Sequence, residues 1–337
     1  MQIAPVQVDR SLLNALQEPS FYHHNPEEVF QRETYTSHLI FAGDLVYKIK
    51  KPVCFPHVDF STLKRRRSSL EREFLLNQRL APSVYLGVLP LVQESGHWRF
   101  GNSAHPDECA LVMRRLPARQ MLSCLLNCNQ ASSQMMQGIA GILASFHLQA
   151  GSPHGITPDN YPGALRQVWE NNLDDIRPLI GQLLDRECFE VIQQFASRFI
   201  KDRSDLLIHR VIEGRTRVVH GDLRCDHVCH APAGIQIFGS TRPLPHWGHQ
   251  DIAWDVASLI LDLELRREKR HAMEFFKAYL ELSHDQQLPS LVPFYKSFCA
   301  LIRGKDEWFL SSGSSPDAPR FLDCACSAAR QPPADAR

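Results

Sequence analysis

VVHGDLRCDHVCHAPAGIQIFGSTRPLPHWGHQDIAWDVASLILDLE, from Val218 to Glu264, is the stretch that decides how the rest of the chain is read. A β-branched pair, Val218-Val219, runs into a polar turn at His220, Gly221 and Asp222. A short apolar run follows at Ile235 to Phe238, and an amphipathic helix starts near Asp251. A carboxylate fixed at the end of a strand, as Asp222 is here, can orient a substrate hydroxyl and accept its proton. Three residues carry little specificity alone, so the weight of this motif rests on what surrounds it.

Upstream, residues 33–53 (ETYTSHLIFAGDLVYKIKKPV) read as a β-hairpin. The strands run from about Thr36 to Phe41 and from Leu45 to Lys50, with a turn at Ala42-Gly43-Asp44. Val46, Lys48 and Lys50 share one strand face. That face reads either as solvated or as a pair of lysines presented to phosphates. Residues 59–80 follow a helical stripe through Leu63, Leu70, Phe74 and Leu75, with Asp59 or Ser61 as N-cap and Pro82 beyond the end. The Lys64–Arg67 run reads as a solvated helix face balanced by Glu71 and Glu73, with an anion patch as the alternative. Residues 85–92 and 109–116 read as strands. The first 30 residues read as a short helix, Ser11 to Gln17, and a polar connector.

After Pro117 the pattern becomes helical over 119–150, 163–213, 252–281 and 288 to about 310. The domain reading is an N-terminal extension over 1–32, a β-rich lobe over 33–117, an α-rich lobe over 118–310 and a loosely ordered tail over 311–337.

Length and composition narrow the classes. The 337 residues are 44% hydrophobic and 22% charged, ordinary for a globular protein with a sizeable core. Basic and acidic residues both number 37, so the formal net charge is zero. Nucleic acid and anionic membranes both call for a positive field, and neither is expected as a partner. The N-terminus lacks a basic region followed by an apolar core, and no apolar run approaches the roughly 20 residues of a membrane span. The ten cysteines are scattered, with Cys188 and Cys299 in apolar helical patterns. They read as reduced thiols in a cytoplasmic setting.

A hairpin with strand lysines, a helix with a glutamate, an HGD loop and a short strand together make a kinase-like order. On the segments VYKIKKPV (46–53), DFSTLKRRR (59–67), EREFLLNQRLAPSVYLGVLPL (71–91), VMRRLP (112–117), ILASFH (142–147), VWENN (168–172), HGDL (220–223) and DIAWDVASLILDLE (251–264), the chain resembles the aminoglycoside phosphotransferase-like kinases. The resemblance runs from about Glu33 to about Lys305 and implies an α+β, two-lobed protein-kinase-like fold. It implies that Lys48, with Lys50 as the alternative, grips ATP phosphates and that Glu73 is the helix partner of that lysine. Met113 to Leu116, with Met113 and Arg115 as candidate contacts, would form the hinge whose backbone meets adenine. Asp222 would be the catalytic base, Asp255 a brace for its loop, and His147 a packed core residue. Some members of this branch continue into a second nucleotide-binding domain, but no GxxxxGK[ST] occurs in this chain.

Two positions depart from the family pattern. The family's metal-binding Asn falls on His227, and Mg²⁺ prefers oxygen ligands to imidazole. Counting back from Asp251 without gaps puts Gly239 where the family has its Mg²⁺-binding Asp, and Arg242 where it has Glu. Asp226, beside His227, is expected to face away rather than replace the lost ligand. No protein metal ligand is therefore assigned, and Mg²⁺ is doubtful although ATP is expected. His220, Cys225, His227, Cys229 and His230 crowd together, but without a C-x₂-C pair, and the thiols read as incidental rather than as a zinc site. The implied function is an ATP-dependent phosphotransferase acting on a small hydroxylated substrate. The alternative is a pseudokinase that binds nucleotide or a partner without transfer.

Overall fold

The computed structural model describes residues 8–55, 58–151, 155–240, 249–311 and 313–331. Arg242 lies outside them. The chain divides into two compact units, Met1–Cys124 with Val228–Leu244, and Leu125–His227 with Pro245–Arg337.

The first unit is built on one sheet. Its elements are α1 (Arg10–Ala15), β1 (Val29–Glu33), β2 (Ser37–Ala42), β3 (Leu45–Lys50), the two-residue strands β4 (Cys54–Phe55) and β5 (Val58–Asp59), α2 (Leu63–Leu80), β6 (Tyr85–Glu94), β7 (His97–Phe100) and β8 (Glu108–Arg114). An antiparallel sheet runs in the order β1-β2-β3-β8-β6-β7. The hairpin matches the sequence reading within a residue, and Gly43 in its turn has φ +59°. The connector expected before Glu33 instead supplies the edge strand β1, and His97–Phe100 adds a strand between those read over 85–92 and 109–116.

Both faces of the sheet are covered. Successive side chains of a strand point to opposite sides, and β8 divides its residues accordingly. Ala110 and Val112 join Leu12, Leu16, Tyr22, Tyr47 and Ile49 in one core. Cys109 and Leu111, with Met113 at its edge, join Leu70, Val84 and Tyr85 in the other. The N-terminal segment thus lines one face, and α2 lies on the other. The lysine face of β3 is accordingly not solvated.

Helix α2 starts at an N-cap supplied by Thr62, whose hydroxyl accepts from the Arg65 N–H, in place of Asp59 or Ser61. Its buried stripe holds Arg66, Ser69, Leu70, Glu73, Asn77 and Leu80, while Leu75 is exposed. A buried polar group needs a partner. Arg66 has Glu108, at 2.9 Å through Nε, and that splits the Lys64–Arg67 run. Lys64, Arg65 and Arg72 line an open groove of about 630 Å³ together with Asp59, which pairs with Arg65.

The second unit is helical: α3 (Leu122–Asn127, at the boundary), α4 (Ser133–Gln149), α5 (Tyr161–Ile176), α6 (Arg186–Asp202) and α7 (Ser204–Ile212), then the short strand β9 (Thr216–Val218). The hairpin β10 (Val228–Ala231) and β11 (Gly234–Ile237) follows in sequence but clusters with the first unit. Back in the second unit, β12 (His249–Asp251) pairs with β9, followed by α8 (Ala253–Leu265), α9 (Lys269–Ser283), α10 (Leu288–Leu310) and α11 (Asp317–Ala329). Every residue of α8 from Ala253 to Leu263 is buried, which makes it the axis of this unit. The tail is not loose throughout: Ala318, Leu322, Ala325 and Cys326 of α11 are buried, and the helix packs along α10.

A buried charge cluster fixes the start of α8. Arg210 of α7 meets Asp251 with Nε and Nη2 at 2.6 and 2.7 Å, and Asp285 with Nη1 at 2.6 Å. Asp251 Oδ1 also accepts the Ala253 N–H. No described helix is long and apolar enough to cross a membrane.

Candidate nucleotide and catalytic-loop sites

In the first unit, strand β3 and helix α2 bring Lys48, Lys50 and Glu73 together. Glu73 divides its carboxylate: Oε1 accepts from Lys48 Nζ at 2.6 Å, and Oε2 lies 3.2 Å from Lys50 Nζ. Burial alone would raise the Glu73 carboxyl, but the two lysines outweigh it and hold it below its usual range. Lys50 is only 2% exposed and lies over the Phe60 ring, whereas Lys48 is 11% exposed. Burial, then the neighbouring Lys48 charge, pushes the Lys50 ammonium down to about 8. Of the two lysines, Lys48 is the more accessible.

This has a consequence for pH. Below about 8 the folded chain carries a buried Lys50 charge that water solvates better in the unfolded chain. As pH rises from 8 toward the ordinary lysine value of about 10.4, the folded form gives up its proton first, the unfolded chain binds more protons, and stability increases. Lys50→Met removes the charge and keeps the volume. It should match or exceed the wild-type Tm at pH 7, and its advantage should shrink as pH passes 8. A loss of several degrees at pH 7 in thermal denaturation would contradict this.

The residues expected to form the hinge lie at the end of β8 and just beyond it. Met113 pairs with Val46 and Tyr85 across the sheet and sits against the α2 core. The Arg115 N–H donates to the Asp44 carbonyl at 2.8 Å, and its guanidinium lies over the Phe30 and Phe41 rings. That N–H is already committed within the unit.

Gly239 follows β11 with φ +82°, a region costly for residues with a Cβ. Its N–H donates to Tyr85 Oη at 3.1 Å. The next residue is stapled to α2: Asn77 Oδ1 accepts the Ser240 N–H at 2.9 Å, and Asn77 Nδ2 donates to the Ser240 carbonyl at 2.7 Å. Position 239 is therefore held one helical turn from Glu73, with no side chain to offer a ligand.

In the second unit, the HGD loop hangs from α8. Asp255 accepts the His220 N–H at 2.7 Å and the Gly221 N–H at 2.8 Å. Burial would raise this carboxyl, but His147, His220 and the loop N–H hold it low. His147 Nε2 lies 3.0 Å from Asp255 Oδ2 and must carry the proton, which leaves Nδ1 to accept from Tyr279 Oη at 2.7 Å. His147 is thus a core residue that positions the brace. Trp254 Nε1 donates to the Gly221 carbonyl. Ser258 Oγ and Arg303 Nη2 both donate to the Leu223 carbonyl. Asp262 accepts the Cys225 N–H and pairs with Arg303.

At the end of the loop, His227 Nδ1 lies 2.6 Å from the Asp222 carbonyl. A carbonyl only accepts, so Nδ1 carries the proton and Nε2 keeps the lone pair. Arg224 Nη2 donates to that lone pair at 3.3 Å and lies 3.2 Å from Asp222 Oδ2. Burial pushes the His227 imidazole down to about 4, which keeps it neutral. Asp226 points away to Arg266 at 3.1 Å.

Neither unit offers Mg²⁺ the expected ligand: in the second, the one His227 atom with a lone pair already holds a guanidinium, and in the first, Gly239 has no carboxylate. Among the described residues there is no group of three or more His, Cys, Asp or Glu arranged to hold a metal ion. Cys225 and Cys229 are buried free thiols.

The sequence reading missed Asn77, Arg210, Arg224, Asp262, Asp285 and Arg303. Only Asn77 carried a local signal, since it continues the 66/70/73 spacing of α2. The others act through contacts distant in sequence, except Arg224, whose partners lie two and three residues away.

No family model matches the chain. Uncharacterised proteins of Mycobacterium bovis and Mycobacterium tuberculosis are 30% identical to it over 287 residues, which is 85% of this chain and 56% of theirs, so the chain spans about half the length of these relatives. Among solved structures, a choline/ethanolamine kinase family protein from Mesorhizobium loti has a TM-score of 0.57 at 13% identity, covering 96% of each chain. A choline kinase from Cryptosporidium parvum has a TM-score of 0.58 at 11% identity, covering 95% of this chain and 94% of that one. An aminoglycoside 2′-phosphotransferase solved as its GDP complex has a TM-score of 0.53 at 12% identity, covering 94% and 96%. The fold of the chain is therefore the two-lobed, protein-kinase-like α+β fold, with a β-rich N-terminal lobe and a helical C-terminal lobe.

Proposed function

We propose that this chain is an ATP-dependent phosphotransferase, similar to the aminoglycoside phosphotransferase-like kinases, that acts on a small hydroxylated substrate and has an altered metal site. The observation that carries the reading is the Lys48–Glu73 pair at 2.6 Å, with Lys50 buried behind it. In this reading Lys48 holds nucleotide phosphates, Glu73 holds Lys48, and Met113 and Arg115 flank the base. Asp222 accepts the proton of the acceptor hydroxyl from a loop whose N–H groups Asp255 fixes. The expected setting is cytoplasmic, without nucleic acid or membrane partners. Turnover of γ-labelled ATP by the purified chain with a panel of small alcohols, amino alcohols and sugars tests it. Label appearing on one acceptor class is the expected result, and nucleotide binding without any transfer is the contrary one.

A second reading, a pseudokinase that binds nucleotide or a partner without transfer, is favoured by one specific observation. Neither His227 nor Gly239 offers Mg²⁺ a side-chain oxygen. A γ-phosphoryl transfer without the metal lacks a charge worth several kcal/mol to its transition state. Gly239→Asp tests whether position 239 is the degraded ligand position. The positive φ makes the variant less stable by about 1 kcal/mol, since Asp tolerates that region better than most residues. If position 239 is the degraded ligand, ATP should bind the variant at least about tenfold more tightly with Mg²⁺ than with EDTA, a gain of about 1.4 kcal/mol. Identical affinities in the two buffers would show that position 239 is not a ligand position.

A further inference from the structure

We propose that Arg224 is a built-in cation for nucleotide phosphate, so that this chain binds the anion without a divalent metal. The inference rests on the nucleotide reading above. Arg224 sits on the second residue after Asp222, with its Nη2 3.2 Å from Asp222 Oδ2 and 3.3 Å from His227 Nε2. The guanidinium therefore bridges Asp222, the expected base, and His227. It also closes the one imidazole atom with which His227 can bind a cation, because Nδ1 is spent on the Asp222 carbonyl. A fixed positive charge at that atom repels a second cation and attracts an anion.

The side chain also retains capacity for an anion. A guanidinium has five N–H donors in a planar fork that matches phosphate oxygens. Both contacts above run through Nη2. Nε is buried and, among the described residues, has no hydrogen-bond partner. A buried donor without an acceptor is costly, so the contacts within the loop do not satisfy the whole guanidinium. The side chain as a whole is 35% exposed, so an anion can reach it. Arg303 adds a second guanidinium under the same loop, but it is buried and committed to Asp262 and the Leu223 carbonyl. That leaves Arg224 as the accessible cation of the pair.

The test uses the full chain and two probes, ATP and inorganic tripolyphosphate, each titrated calorimetrically in EDTA and in Mg²⁺. The wild type should bind both in EDTA within about threefold of its affinity in Mg²⁺. Arg224→Gln, which keeps a donor for His227 and removes the charge, should weaken binding in EDTA by at least about tenfold, the loss expected for one charge-assisted hydrogen bond. Arg224→Lys should recover part of that loss. Unliganded Tm values of both variants close to wild type show that the effect is not unfolding. The inference is overturned if EDTA abolishes wild-type binding, or if Arg224→Gln binds as the wild type does. Tripolyphosphate binding that depends on Arg224, without ATP binding in any buffer, would support the anion site and sink the nucleotide reading. Absence of binding by either probe overturns both.

Discussion

Arg210→Ala should destabilise the chain by about 3–5 kcal/mol, the usual cost of removing one partner from a buried ion pair. The side chain is fully buried and answers two carboxylates at once, Asp251 and Asp285, each at about 2.6 Å. Without it, two buried negative charges face each other with no counter-ion. At about 2–4 °C per kcal/mol for a unit of this size, the Tm falls by on the order of 10 °C. The effect should extend to the HGD loop. Asp251 sets the first turn of α8, and α8 carries Asp255, whose carboxylate holds the His220 and Gly221 N–H groups. Adding Asp251→Asn and Asp285→Asn should return part of the lost stability, because the neutral amides no longer repel each other. Thermal denaturation followed by circular dichroism checks both. A fall below about 1 kcal/mol in the single variant would mean that the cluster is relieved by water and does not anchor α8.

Lys48→Ala should leave the fold intact and remove nucleotide binding. Glu73 would keep Lys50, 3.2 Å from its other oxygen, so the buried carboxylate is not orphaned. The fold should lose no more than about 1–2 kcal/mol. Affinity for ATP should fall by at least about tenfold, as the removal of one charged contact to phosphate implies. Lys50→Met is the matched control. It removes the lysine that is buried over Phe60 and leaves the accessible one in place. A thermal-shift titration of the two variants separates the roles that a shared strand face could not. If Lys50→Met alone lost ATP binding, the roles would be reversed.

Periodicity and turn chemistry placed β2, β3 and α2, and the outer bounds of the helical stretches between Pro117 and Leu310, to within a few residues. These elements rest on local rules, namely alternation around Gly43 and a stripe through Leu70. What the β3 lysines face was not legible, because an alternating strand gives the same pattern whether its polar face meets water or a helix. The structure answers this with Glu73 from α2 on one side and Leu12, Leu16 and Tyr22 on the other. The tail misled for a related reason. Its Ser, Pro and Asp content suggested disorder, yet Ala318, Leu322 and Ala325 recur at helical spacing and find α10. The brace formed by Asp255 was legible through the resemblance. Its support by His147 and Tyr279 was not, since the partners lie 108 and 132 residues apart in pairs that no local pattern links. Arg224 was visible in the sequence but was passed over, since a cation beside an expected base reads as a solvated residue until its distances to Asp222 and His227 are known.

The most direct measurement is calorimetric titration of ATP into the wild type, Lys48→Ala and Lys50→Met at pH 7 in matched buffers. The account predicts one bound nucleotide in the wild type and in Lys50→Met, and an affinity at least about tenfold weaker in Lys48→Ala. An absence of binding to the folded wild type, or equal binding by all three proteins, would contradict it.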